Sequence, residues 1–215
     1  MLFRSGAIIM THGDERGLRL PPKVAPIQAV ILPIAAHKGG VMEACREIFG
    51  ELKQAGFRVK LDDRDTVSAG YKFNDWELKG VPVRLEVGPR DLENGVVTVF
   101  RRDTLEKFTL PLENLTEKMS SLLEDIQQTM YRQAKDFRDA RTQTVHNMAE
   151  LEAAVQNGFA KAMWCGEQAC EDEIKEKFNA SSRNMPFDQE GNTFSDTCVC
   201  CGKHAKKVMY FAKAY

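Results

Sequence analysis

No run of apolar residues in this chain approaches the ~20 needed to span a bilayer; the longest, Ala29 to Ala36, contains Pro33. The opening residues, MLFRSGAIIMTHGDERG, carry one early arginine and a short apolar patch, then run into charge with no small-residue cleavage pattern. No secretory leader is expected from them, and the expected location is the cytoplasm. An excess of charge of one sign is also lacking. With 30 Lys and Arg against 31 Asp and Glu, the net charge is −1, which excludes coating of nucleic acid by bulk electrostatics and confines any such contact to local patches. Proline and glycine are sparse, 8 and 15 among 215 residues, and 43% of the chain is hydrophobic. Extensive disorder is thereby excluded, and two small domains with separate cores are expected. Cysteine is confined too: apart from Cys45, all lie between 165 and 201. In a reducing compartment such a cluster points to metal rather than disulfides.

Residues 1–17 show an apolar patch, Ala7 to Met10, followed by THGDERG, which predicts a strand and then a loop. Pro21, Pro22 and Pro26 predict an extended linker with a domain boundary. From Ile27, IQAVILPI is nearly continuously apolar, as in a strand covered on both faces of a parallel sheet. Val41, Cys45, Ile48, Phe49 and Leu52 then recur at helical spacing, with Cys45 as packing, and Gly56 is a stop. Phe57, Val59 and Leu61 alternate with Arg58 and Lys60, completing a βαβ unit. SAGYKFNDWELKG predicts a second helix, started by Thr66 or Ser68 and stopped by Gly80. Val81 to Val87 alternates as a half-buried strand whose polar face carries Arg84 and Glu86. Asn94-Gly95 marks a turn, and VVTVF and KFTLPL predict further strands. The fold class is thus α/β, with a mixed-sheet domain over 20–114.

Between Pro111 and Gly158 there is neither glycine nor proline, and Leu115, Met119, Leu122, Ile126, Met130 and Phe137 repeat at helical spacing. A long helix is predicted from near Thr116 to near His146. Asn147 with Glu150 resembles a capping box opening another helix that ends at Gly158. The region 115–215 therefore reads as a helical connection followed by a small, cysteine-rich α+β domain.

Two constellations carry chemistry. Cys165 and Cys170, with Cys198 and Cys201 at CxxC spacing, offer four thiolates to a tetrahedral zinc. CVCC contains two possible pairs, and Cys198 with Cys201 closes a chelate with less strain than adjacent or alternate thiols, leaving Cys200 dispensable. Four cysteines leave no open position for water or substrate, so the metal is a structural staple. The second constellation is Phe73, Glu77, Arg84, Glu86 and Arg90. An aromatic platform, carboxylate acceptors and arginine forks are the residue types that read unpaired bases; by residue type alone, a solvated surface with incidental ion pairs fits them as well. Arg132, Lys135, Arg138 and Arg141 offer phosphate contacts, but interleaved Asp136 and Asp139 favour a salt-bridged, solvated helix. His12 has no nucleophile or acid beside it in sequence and is left without a role.

THGDERGLRLPPKVAPIQAVILPI, GYKFNDWELKGVPVRLEVGPRDLENG, FAKAMWCGEQAC and CVCCGKHAKKVMYFAKAY together resemble the C-terminal half of class II prolyl-tRNA synthetases of the archaeal/eukaryotic-like type. The βαβ start alone would suit the anticodon domains of histidyl, threonyl or glycyl enzymes, but the cysteine-rich end with its terminal tyrosine would not. The resemblance implies ATP-dependent joining of proline to its tRNA, with ATP and magnesium in a preceding catalytic domain, by a homodimer. It implies that Phe73, Glu77, Arg84 and Arg90 read the two guanines of the proline anticodon. It also implies that Cys165, Cys170, Cys198 and Cys201 hold zinc, and that Tyr215 can reach towards a catalytic site. Residues 1–19 then read as the end of a catalytic domain and a linker. Phe3 stands where that family's ATP-contacting arginine is expected, with Arg4 one place later, so this chain alone is expected not to activate proline. Alternatives of other classes are a freestanding zinc-containing RNA-binding module and a scaffold that binds other synthetases.

Overall fold

The computed structural model describes residues 2–213, which form two compact units divided between Ala134 and Lys135. Tyr215 lies outside the described residues, as do the side chains of Phe3 and Arg4.

The first unit opens with helix α1 (Leu2–His12), then a hairpin of two-residue strands, β1 (Gly13–Asp14) and β2 (Gly17–Leu18). A helix stands where a strand was expected, because a four-residue apolar patch does not separate the two periodicities. Pro21 to Pro26 is likewise no extended linker. Pro21, Pro22 and Ala25 are buried in a turn, whose carbonyls at Pro22 and Ala25 accept from the Arg58 guanidinium at 2.7 and 2.8 Å.

The chain continues as β3 (Ala29–Pro33), α2 (Val41–Gln54), β4 (Val59–Leu61), α3 (Ala69–Leu78), β5 (Val83–Val87), α4 (Pro89–Glu93), β6 (Val96–Arg101), β7 (Lys107–Pro111) and α5 (Leu115–Ala140). The sheet order is β4-β3-β5-β6-β7. The first three strands are parallel and the last two antiparallel, the expected mixed sheet. Strand alternation splits the core into two layers. Ala29, Ile31, Val83, Leu85, Val87, Val97 and Val99 face Cys45, Ile48 and Leu52 of α2 and Leu115, Met119 and Ile126 of α5. Cys45 is packing, as expected, and burial pushes its thiol up to about 12. On the other face, Val30 and Leu32 meet Trp76 and Phe73 of α3.

Helix α3 starts where the Ser68 side chain accepts from the Tyr71 amide at 3.2 Å, and stops at Gly80, whose φ of 72° closes the C-terminus. The expectation of a half-buried β5 is corrected: the strand is buried on both faces. Alternation placed Arg84 and Glu86 on one side but carried no information that α3 and β6 cover it.

Helix α5 leaves the first unit at Ala134. It ends at Ala140 rather than near His146, because the β-branched stretch that follows forms β8 (Thr142–Val145). Next come α6 (Met148–Ala154), β9 (Phe159–Trp164), α7 (Gln168–Phe178), β10 (Ala180–Asn184) and β11 (Lys207–Lys213), with sheet order β10-β11-β9-β8. Asn147 caps α6 by accepting from the Glu150 amide at 3.0 Å, as expected, but Glu150 reaches back to the amide of His146 at 2.7 Å, one residue before the cap, so only half of the expected capping box forms. Leu151, Ile174, Ala162 and Phe211 centre this second core.

Candidate functional site

Helix α3 is anchored to the sheet by a buried carboxylate. Asp62, just past β4, accepts from Trp76 Nε1 at 2.7 Å and from Arg64 Nε and Nη2 at 2.8 and 2.6 Å. The buried Lys72 donates to its carbonyl at 3.1 Å. Burial alone would raise the Asp62 pKa, but the hydrogen bonds from Arg64 and Trp76 outweigh it and hold the carboxyl well below the usual range.

That anchor fixes the helix face carrying Phe73 and Glu77. Arg84 of β5 lies with its guanidinium 4.2 Å from the ring centroids of both Phe73 and Phe100. Its Nε and Nη2 are each 3.0 Å from Glu86 Oε1, and Lys107 donates to Glu86 Oε2 at 2.7 Å. Arg84 is only 8% exposed. It is therefore not the open fork expected from alternation; it is sandwiched against Phe73 and Phe100 by cation–π contacts while paired with Glu86. Glu77, one helical turn beyond Phe73, keeps its side chain 13% exposed and pairs with Arg16 Nη1 at 3.1 Å. Arg90 is exposed on α4, past the end of β5. The structure thus brings Phe73 and Arg84 into contact, sets Glu77 on the same helix, and leaves Arg90 apart.

The hairpin that carries Arg16 is clamped onto α3. Arg102, among the largest fully buried side chains, donates from Nη1 and Nη2 to Asp14 at 2.8 and 2.5 Å and from Nε to the Glu77 carbonyl at 3.1 Å. The Arg102 side chain holds the Asp14 carboxyl down to about 2, against a smaller opposing effect of burial. His12, at the end of α1, has its pKa lowered by burial and then by Arg19.

In the second unit the sulfur atoms of Cys165, Cys170, Cys198 and Cys201 all lie within 4.8 Å of one another. Cys165 Sγ is 3.6 Å from Cys170 Sγ and 3.8 Å from Cys201 Sγ. A tetrahedron with Zn–S bonds of about 2.3 Å has sulfur–sulfur edges of about 3.8 Å, so the cluster is compatible with a zinc site. Gly166 and Gly202, directly after Cys165 and Cys201, have φ of 92° and 71°, and the Gly202 amide returns to the Cys198 carbonyl at 3.1 Å. Burial raises the Cys198 thiol, but backbone amides of Cys201, Cys200 and Cys165 outweigh it and bring it down to about 7. These donors favour a thiolate at Cys198, whereas burial raises the thiols of Cys165 and Cys170. Cys200 packs against this cluster but is not one of the four converging sulfurs: its Sγ lies 3.3 Å from Glu173 Oε2, and its thiol is pushed up to about 11, first by burial and then by that carboxylate.

The basic residues late in α5 are tied to neighbours. Lys135 and Arg138 bond Asp139, and Arg141 lies 3.5 Å over the Phe137 ring. This is the salt-bridged, solvated helix of the plainer expectation.

Comparison with known proteins places both halves. The family described as "Anticodon binding domain" matches residues 28–122, and "Prolyl-tRNA synthetase, C-terminal" matches 148–215. The chain is 50% identical over 212 residues to "Proline--tRNA ligase 2" of Clostridioides difficile and to "Proline--tRNA ligase" of Alkaliphilus oremlandii. It is 49% identical over the same length to "Proline--tRNA ligase 2" of Bacillus cereus. The chain belongs to the prolyl-tRNA synthetase family. These alignments cover 98% of the chain but 44% of each relative, so it spans less than half the length of the family members it matches. The anticodon-binding match runs from β3 into α5, and the prolyl-tRNA synthetase C-terminal match contains the whole cysteine cluster. No helix among the described residues is long and apolar enough to cross a membrane. Arg16, Asp62, Phe100 and Arg102 were missed from sequence. None of these carried a local signal that set it apart: Arg102 follows Arg101, so the charge after the apolar run VVTVF does not say which arginine turns inward.

Proposed function

We propose that this chain is the tRNA-recognition portion of a cytoplasmic proline–tRNA ligase. It binds the proline tRNA anticodon in support of ATP- and magnesium-dependent attachment of proline by a catalytic domain, within a homodimeric enzyme. The observation that carries the reading is an anticodon-binding match over a unit whose α3 face presents an aromatic ring and a partly exposed carboxylate on a rigid base. Phe73 stacks an unpaired base, Glu77 accepts from guanine N1–H and N2–H, and Arg90 contacts the RNA from α4. Arg84 belongs to the same site as the residue that holds Phe73. The four cysteines Cys165, Cys170, Cys198 and Cys201 hold one structural zinc. Bound there, it supplies cross-linking and no reaction chemistry, since four thiolates complete its coordination.

Glu77→Ala is expected to weaken binding of a proline anticodon stem-loop by about ten- to a hundredfold, the worth of one good base contact. Binding of a stem-loop with both guanines replaced should change little. Titrations at one fixed salt concentration check this, because charge-driven affinity moves with salt. Equal losses for both RNAs would assign Glu77 to the backbone rather than to the bases.

A further inference from the structure

The arginine that lies open beside Glu77 is Arg16. Its side chain is 58% exposed, whereas Arg84 and Arg102 are buried and committed to Glu86 and Asp14. Arg16 and Glu77 line a shallow depression of about 330 Å³ together with Asn74 and Leu78. Only Arg16 Nη1 is engaged, with Glu77 Oε1. Its Nε and Nη2 have no protein partner among the described residues, and Glu77 Oε2 is free of hydrogen bonds among them.

This placement is built in. Arg16 sits at the tip of the β1–β2 hairpin, where its amide donates to Asp14 Oδ1 at 2.9 Å, the carboxylate that Arg102 grips from inside the fold. At the next residue, Gly17, φ is 117° and an added Cβ would lie 2.6 Å from the Leu78 carbonyl oxygen. Gly80 makes the reciprocal approach: its added Cβ would lie 2.6 Å from Leu18 Cβ. Hairpin and helix end are therefore in backbone contact that no larger residue at either glycine permits. Arg102 bonds both the hairpin, through Asp14, and the Glu77 carbonyl. The donor on Arg16 and the acceptor on Glu77 are held in register by one buried guanidinium.

We infer that Arg16 is a further specificity-determining residue, which with Glu77 presents a donor beside an acceptor to the Watson–Crick edge of a guanine. Guanine O6 accepts from Arg16, while N1–H and N2–H donate to Glu77. Adenine carries the reverse order, a donor at the O6 position and an acceptor at N1, and sets like against like. The inference rests on the reading of α3 as the base-contacting helix.

The test pairs protein variants with altered bases in a proline anticodon stem-loop. Inosine in place of guanine removes the N2 donor and retains O6 and N1–H; 2-aminopurine removes O6 and N1–H and retains the N2 donor. Arg16→Ala is expected to lose about tenfold affinity for the guanine stem-loop, and Arg16→Lys, which keeps charge without the planar fork, should fall between. In Arg16→Ala the penalty for 2-aminopurine should shrink by about the same factor, while the penalty for inosine stays as in the parent chain. If Arg16→Ala weakens every RNA equally, guanine-free ones included, Arg16 is a phosphate contact and the inference is overturned. An undiminished 2-aminopurine penalty in Arg16→Ala would overturn it too, with the base-reading role of α3 intact. If the parent chain itself shows no preference for guanine, the reading of α3 fails and the inference fails with it.

Discussion

A chelator, by removing the zinc proposed at the four cysteines, is expected to unfold much of residues 135–215 while the first unit stays folded. Zinc contributes roughly 10–16 kcal/mol to small zinc-binding peptides, as much as the ~5–15 kcal/mol that holds an entire domain together. The cluster joins the end of β9, the start of α7 and the 198–201 turn, three segments otherwise linked through a small core. The chain's two tryptophans report on the units separately: Trp76 packs in the first and Trp164 beside the cysteines in the second. Chelation should change Trp164 emission and leave Trp76, observed in a Trp164→Phe variant, unaffected. Elemental analysis should find about one zinc per chain in the parent and in Cys200→Ser. Serine at Cys165, Cys170, Cys198 or Cys201 should lower it and destabilise the second unit as chelation does. Loss of metal in Cys200→Ser with retention in Cys201→Ser would show the ligand set to be wrong.

Asp62→Ala is expected to destabilise the first unit by about 3–5 kcal/mol, the usual cost of removing one partner from a buried charged network. The substitution leaves the Trp76 indole N–H and the buried Lys72 ammonium without the carboxylate that faces both. Arg64, more exposed, can turn to Asp75 and water. Asp62→Asn should cost less, since its amide oxygen still accepts from the indole. Urea unfolding followed by Trp76 emission in the Trp164→Phe background reads both. A change below about 0.5 kcal/mol for Asp62→Ala, the size of an ordinary surface substitution, would show that α3 is held by its apolar face alone.

What could be read from sequence was what local chemistry encodes. The cysteine cluster was legible because thiolate spacing is itself the geometric requirement, and the Gly202 turn makes Cys198 and Cys201 rather than Cys200 converge. The limits of α3 were legible because Ser68 and Gly80 do one job each at a helix end. The setting of Arg84 was not. Alternation assigns a residue to a side of a strand, but Phe73 and Phe100, which close over Arg84 from another helix and another strand, are named only by the tertiary fold. The Arg16–Glu77 pair spans 61 positions, and the strands that place Arg16 are two residues long, below any periodicity. Strand β8 was hidden for a related reason, since four residues after a long helix resemble one more turn of it until β9 supplies a partner.

The central claim, that the first unit reads guanine bases in an anticodon, is tested most directly by titrating the unaltered chain with two stem-loops at one salt concentration. One carries the proline anticodon; the other differs only in having both guanines replaced by adenine. The account predicts at least about tenfold weaker binding for each guanine lost, from base contacts worth roughly 1–3 kcal/mol apiece. Equal affinities, falling together as salt is raised, would mean that the chain holds RNA by its phosphates alone and would contradict it.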